Sequence, residues 1–160
     1  MELSTPDLCD QFADQVRVVS GVLWQHFGGC RAFCGAVETV KCFEDNSRVK
    51  EALAEPGEGR VLVVDGGGSL RHALIGDQIA AGALKNGWSG VVIYGACRDV
   101  EILAEMDFGV VALAAVPIKS VRRGEGQRGV EVTFGGVHFD RGDYLYADAN
   151  GVVVASEALR

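Results

Sequence analysis

Two short runs of almost uninterrupted aliphatic residues constrain this chain more than any other feature. Residues 60–65 read Arg-Val-Leu-Val-Val-Asp and residues 90–94 read Gly-Val-Val-Ile-Tyr. Neither alternates apolar with polar side chains, so each suits a strand covered on both faces, the usual condition of strands in a parallel sheet. Between them lie a glycine cluster, Gly66-Gly67-Gly68-Ser69, and a segment from Asp77 to Asn86 with Ile79, Ala80, Ala83 and Leu84 at helical spacing. Strand, helix and strand in that order predict a parallel pair joined by a right-handed crossover.

The remainder reads as more of the same domain. Thr5 as N-cap, Pro6 at the first helical position and Asp7 in the first turn predict an opening helix with Leu8 and Phe12 one turn apart. Residues 16–19 form a short apolar segment, and residues 32–41 suit a strand. Asn46 or Ser47 can cap a helix carrying Val49, Ala52 and Leu53 on one face, which Pro56-Gly57-Glu58-Gly59 ends. A helix over 99–106, a strand over 110–116 and a β-rich end over 130–154 follow, with turns at Gly135-Gly136, Arg141-Gly142-Asp143 and Asn150-Gly151. With 160 residues, 48% of them hydrophobic, the chain can bury one core, and a single α/β domain over 1–160 mixing parallel and antiparallel strands is expected.

Composition removes several functions. Fifteen basic against 22 acidic residues give a net charge of −7, which repels a phosphate backbone, so direct nucleic-acid binding is not expected. No segment approaches the roughly 18 apolar residues of a membrane helix, and the N-terminus lacks the basic-then-apolar order of a signal peptide. A soluble, cytoplasmic protein is the expectation. Five cysteines, Cys9, Cys30, Cys34, Cys42 and Cys97, are an odd number that fits buried thiols in a reducing compartment. Cys30 and Cys34 are separated by three residues rather than two, and His26, His72 and His138 are scattered, so no structural zinc site is expected. Nothing local supplies a base for a catalytic thiol.

Three motifs carry chemistry or imitate it. Asp65-Gly66-Gly67-Gly68-Ser69-Leu70-Arg71 follows a strand as a nucleotide loop would, but Arg71 stands where the dinucleotide pattern needs glycine, and no Gly-Lys-Ser/Thr is present. A tight turn is the better reading. Gly76-Asp77-Gln78-Ile79 opens a helix whose free backbone N–H groups attract an anion, although an ordinary Asp helix start looks the same. Cys97-Arg98-Asp99 follows the second aliphatic strand, at the sheet end where α/β proteins bind ligands. Residues 78 through 97 span one helix, one turn and one strand, a path that can return Arg98 and Asp99 to the Asp77 helix start. Arg98 could then hold a carboxylate or enolate oxygen, and Asp99 a hard divalent metal. On the residues alone, a structural Arg–Asp ion pair explains the pattern equally well.

The blocks Thr39–Asn46, Gly59–Ser69, Val92–Ala96, Phe134–Val137 and Gly142–Asp148 span nearly the whole chain, and on them it resembles the RraA-like family. That family holds both regulators of ribonuclease E activity and class II 4-hydroxy-4-methyl-2-oxoglutarate aldolases. Its aldolase-type members carry an Asp, twenty intervening residues and then Arg-Asp, a pattern matched by Asp77, Arg98 and Asp99. The resemblance implies an α/β sandwich assembled as a ring-shaped homotrimer, or a hexamer by pairing of trimers, with sites between subunits. It implies a lyase that cleaves a 4-hydroxy-2-oxo acid to pyruvate and also decarboxylates oxaloacetate. Asp99 would hold Mg²⁺ or Mn²⁺, the backbone of Gly76, Asp77, Gln78 and Ile79 a substrate carboxylate, Arg98 the 2-oxo oxygen, and Asp77 would orient Arg98 or a metal-bound water. The alternative implied by the family is a non-catalytic regulator that binds ribonuclease E. Aldolase-type members often add a C-terminal acidic group that serves a neighbour's metal; this sequence ends at Arg160, with Glu44, Asp45 and Asp148 as possible substitutes.

Overall fold

The computed structural model describes residues 3–159. Along the chain the elements are α1 (Thr5–Gln11), β1 (Arg17–Val18), β2 (Gln25–His26), β3 (Phe33–Lys41), α2 (Ser47–Leu53), β4 (Val61–Asp65), β5 (Ala73–Ile75), α3 (Asp77–Lys85), β6 (Gly90–Cys97), α4 (Val100–Leu103), β7 (Gly109–Ala115), β8 (Gln127–Arg128), β9 (Val132–Phe134), β10 (Val137–Phe139), β11 (Tyr144–Asp148) and β12 (Gly151–Ala155). The main sheet runs β1-β12-β11-β3-β4-β6-β7-β2, with β5 added on β6 and β8 on β3, and β9 and β10 form a separate hairpin. Strands β3, β4, β6 and β7 are mutually parallel, while β11, β12, β1 and β2 join antiparallel. The fold is the expected single α/β unit with a mixed sheet. Among the described residues no helix is long and apolar enough to cross a membrane.

The aliphatic runs are explained by burial on both sides. In β4, Leu62 and Val64 join a core with Val49, Ala52 and Leu53 of α2 and Ala80 and Ala83 of α3. Val61 and Val63 of the same strand pack on the opposite face, with Phe134, Phe139, Leu145 and Val152. Strand β6 divides likewise, Val91 and Ile93 toward the helices and Val92 toward the second core. A third, smaller core lies where Leu8 of α1 and Leu159 meet Tyr146, Val153 and Ala155.

Several elements differ from what the residues predicted. Ser4, not Thr5, caps α1, its side chain accepting from the Asp7 amide, while the Thr5 hydroxyl and amide both donate to Asp148 at 2.7 Å. Asn46 occupies the N-cap of α2 without capping it by its side chain, and Asp45 accepts the Ser47 amide instead. Leu84, expected to face inward, is 37% exposed. Strand β6 runs on to Cys97, and α4 is a single turn rather than a helix over 99–106: it starts after Asp99, whose backbone angles are left-handed, φ 61° and ψ 40°, and beyond Leu103 the Glu105 and Met106 amides donate three residues back, to Ile102 and Leu103, in a tighter turn. The glycine cluster is a tight turn: Gly67 and Gly68 have φ of 67° and 72°, and the space a side chain would need is filled by Phe43 and Tyr94. Cys42 and Cys97 are buried, and burial pushes both thiols up to about 12, so neither is a nucleophile at neutral pH.

Two buried features give measurable consequences. Phe33 lies over Gly90 and Gly109, which pair across β6 and β7; a Cβ at Gly109 would sit 2.3 Å from the ring. Gly109→Ala is therefore expected to cost about 1–3 kcal/mol through overpacking, read as a lowered midpoint in thermal or urea unfolding. Asp45 is 1% exposed. Burial raises its pKa, but donation from the Ser47 hydroxyl and amide and from the Arg123 and Glu125 amides outweighs that and holds it at about 2 against an ordinary 3.8. A carboxylate lowered on folding stabilises the protein above its unfolded pKa and loses that contribution as pH falls through the folded value. Asp45→Asn is expected to destabilise by about 2 kcal/mol at pH 7. The gap to the parent protein should close as pH falls from 3.8 toward about 2 in pH-dependent urea unfolding.

Candidate functional site

The site grows from the end of β6. A register shift after Ile93 lets β6 pair with β5 through Ala73 opposite Ala96 and Ile75 opposite Cys97, and the Arg98 amide then donates to the Ile75 carbonyl at 3.0 Å. This short ladder lays residues 98–99 directly against residues 76–77, where α3 begins. The Asp77 amide donates to Asp99 Oδ2 at 3.1 Å. Asp99 Oδ2 also lies 3.8 Å from Arg98 Nε. A Cβ at Gly76 would stand 2.6 Å from that carboxylate oxygen and 3.4 Å from Arg98 Cγ, so the close approach requires glycine. Asp99 accepts left-handed angles because a short polar side chain tolerates them better than a bulky one, and its carbonyl accepts the Ile102 and Leu103 amides that form α4.

Around this junction lies a cavity of about 150 Å³, lined by Gly76, Asp77, Gln78, Ile79, Arg98 and Asp99 together with Asn46, Ala73, Ile75, Lys119, Ser120 and Arg122. The structure thus brings together Gly76, Asp77, Gln78, Ile79, Arg98 and Asp99. It also assigns them differently. The Asp77 amide is engaged by Asp99, which leaves Gln78 and Ile79 as the first-turn donors of α3 for an anion. The carboxylate paired with Arg98 is that of Asp99, not Asp77.

Lys119, Ser120, Arg122 and Asn46 were not among the candidates. The first three come from a loop after β7 that crosses back over β5, where the Ala73 amide donates to the Ile118 carbonyl and the Ser120 hydroxyl to the Ala73 carbonyl, and Asn46 precedes α2. Asn46 Nδ2 donates to the Leu74 carbonyl at 3.1 Å, and its Oδ1 accepts from Arg122 Nε at 3.0 Å. No local pattern marks these residues; an Asn just before a helix reads as a cap. Three cationic side chains, Arg98, Lys119 and Arg122, against two carboxylates, Asp77 and Asp99, make the cavity net positive within a chain of net charge −7. It is suited to an anion.

The proposed acidic substitutes are engaged elsewhere. Asp45 binds the 123–125 loop, Asp148 binds Thr5 and Asn150, and Glu44 accepts from Ser69 and Arg71. Among the described residues, one group of three metal-capable side chains has its ligand atoms within 4.8 Å of one another: Glu131, His138 and Asp140. It lies on and beside the β9–β10 hairpin, largely exposed, and its 3.0 Å His138–Asp140 pair is a hydrogen bond in its own right.

Known proteins resemble the whole chain. A protein of Alcanivorax borkumensis provisionally named 4-hydroxy-4-methyl-2-oxoglutarate aldolase is 63% identical over 159 residues, 99% of this chain and 99% of its own. A counterpart from Pseudomonas aeruginosa strain PAO1 with the same provisional name is 53% identical, covering 100% of this chain and 98% of its own. Relatives bearing the aldolase name are thus matched nearly end to end without a longer C-terminus. Among solved structures, the RNA-processing inhibitor RraA of Thermus thermophilis superposes with a TM-score of 0.95 at 43% identity, covering 100% of this chain and 96% of that one. A Geobacillus kaustophilus protein described as an S-adenosylmethionine:2-dimethylmenaquinone methyltransferase has a TM-score of 0.96 at 48% identity, covering 98% and 97%. Residues 5–154 match the RraA-like family (Aldolase/RraA), and with fold and near-full-length relatives in agreement the chain belongs to that family.

Proposed function

We propose that the protein is a divalent-metal-dependent aldolase that cleaves 4-hydroxy-4-methyl-2-oxoglutarate or a related 4-hydroxy-2-oxo acid to pyruvate, with oxaloacetate decarboxylation as a second activity. The observation that carries this reading is the meeting of the α3 N-terminus, Arg98 and Asp99 in one small, net-positive cavity. The names of the near-full-length relatives point the same way.

The donor set fits a hard cation with few protein ligands. Asp99 Oδ2 accepts the Asp77 amide, while Oδ1 has no hydrogen bond among the described residues. One available carboxylate oxygen suits Mg²⁺ or Mn²⁺, which retain waters and take further oxygens from substrate. When bound, such an ion supplies Lewis-acid polarisation of the 2-oxo group. The chain's own residues do the rest. The Gln78 and Ile79 amides hold the substrate C1 carboxylate. Arg98 faces the 2-oxo oxygen, where negative charge builds as the C3–C4 bond breaks, and stabilises it. The Asp77 carboxylate accepts the C4 hydroxyl proton as that carbon becomes a carbonyl, and C3 is then protonated to give pyruvate. Oxaloacetate passes through the same charge distribution when its C3–C4 bond breaks to release CO₂.

The same proposal includes assembly as a homotrimer, or a hexamer by pairing, with Phe43, Leu70, Ile118 and Val121, all 49% or more exposed, as apolar surface for that contact. A second reading rests on likeness to the Thermus RNA-processing inhibitor: binding of ribonuclease E through a basic segment that complements the net charge of −7. Capture of the endonuclease that persists in an Arg98→Ala/Asp99→Ala variant and weakens with salt would favour this regulatory role.

Catalysis is tested by pyruvate release in a dehydrogenase-coupled assay. EDTA should abolish turnover, and Arg98→Ala should lower kcat by about 100-fold or more with the fold intact. Asp99→Asn keeps an acceptor for the Asp77 amide but loses the charge, so it should raise the metal concentration needed for half-maximal activity. Absence of pyruvate from either substrate at saturating Mg²⁺ or Mn²⁺ would end this reading.

A further inference from the structure

We propose that the groove between α2 and α3 is a second subsite, opening into the Arg98 cavity, that takes an apolar C4 substituent of a 4-hydroxy-2-oxo acid ending in a carboxylate. The proposal rests on the pyruvate-releasing function assigned to the cavity. The groove has a volume of about 310 Å³, twice that of the cavity, and shares Gln78, Ile79 and Arg122 with it, so the two are adjacent. At about 150 Å³ the cavity accommodates the pyruvyl half of a substrate more readily than a whole long-chain acid. What is attached at C4 must lie beyond it, and the shared residues mark one way out.

The groove's lining selects for such a group. Leu53 and Ile79 supply apolar walls, and Lys50 stands at the edge with no ion-pair partner among the described residues. Gly82 lies inside α3, where glycine is less favourable than alanine. It has no left-handed φ, and a Cβ placed there meets nothing within 4 Å, so neither backbone conformation nor packing within the chain calls for glycine. Its effect is to leave the groove open on the α3 side. An apolar wall, an unpaired cation and a missing side chain fit an aliphatic tail with an anionic end.

The probes are 4-hydroxy-2-oxooctanedioate and 4-hydroxy-2-oxooctanoate, with oxaloacetate as the substrate that does not reach the groove. Cleavage of C3–C4, with the hydroxyl proton leaving C4 and a proton entering at C3, gives pyruvate with 5-oxopentanoate or pentanal respectively. Gly82→Leu fills the groove and should lower kcat/KM for both eight-carbon acids by about tenfold while leaving oxaloacetate unchanged. Gly82→Ala, which should raise Tm, controls for damage to the fold. Lys50→Glu should abolish the preference for the dioate over the monoacid. If oxaloacetate and 4-hydroxy-4-methyl-2-oxoglutarate are turned over but the eight-carbon acids are not, or if Gly82→Leu affects all substrates equally or none, the groove proposal is overturned and the cavity reading stands. Absence of pyruvate from every substrate overturns both.

Discussion

Two-sided burial of β4 and β6 is the constraint on which the rest depends. A strand with Val61 and Val63 in one core and Leu62 and Val64 in another can pair only with neighbours covered in the same way. β4 and β6 are parallel, and parallel neighbours need a crossover, here supplied by β5 and α3. The crossover returns the start of α3 to the carboxyl end of β6. Gly76 and Asp99 then approach so closely that a single methyl group would separate them. The site is a geometrical consequence of the way the apolar strands are hidden.

Electrostatics separate the cavity from the rest of the surface. Acidic residues outnumber basic ones over the chain, yet most of the carboxylates near the sheet ends have partners of their own. Glu38, 1% exposed, is the clearest example: burial opposes its ionisation, but Arg141, the Thr39 amide and Arg128 together hold its pKa below the ordinary value. Asp45 and Asn46, adjacent in sequence, divide one task. Asp45 holds the backbone of residues 123–125, and Asn46 holds the Arg122 side chain and the strand behind it. The positive lining of the cavity is therefore attached to the α2 start, and the groove between α2 and α3 opens beside it.

Elements with a strong period or an unmistakable interruption were legible. The aliphatic runs, the glycine turn and the amphipathic α3 all match, because two-sided burial and positive φ leave signatures in single residues. β5, β2 and β8 were not legible: two or three residues such as Gln25-His26 or Gln127-Arg128 carry no period. β8 is instead held by its pairing to β3 and by the Arg128 ion pairs to Glu38 and Glu55. Leu84 misled because helical spacing alone does not say how wide the covered face is. The helix over 99–106 starts only after the left-handed Asp99, whose carboxylate is held by the Asp77 amide 22 positions earlier in the chain, and it tightens to three-residue turns after Leu103.

By itself the sequence determined the fold class and the parallel pair, because each depends on residue type and spacing along a strand-helix-strand unit; it singled out Asp77, Arg98 and Asp99 as site candidates, rather than a structural ion pair, only through the family resemblance. Only the tertiary structure decided that Asp99 rather than Asp77 pairs with Arg98, that the Asp77 amide is already engaged, and that Asn46, Lys119 and Arg122 complete the cavity. The Asp77–Asp99 and Asn46–Arg122 contacts join residues 22 and 76 positions apart, through the β5–β6 pairing and a loop that crosses β5. No local pattern encodes them, since each is produced by the packing of several elements at once.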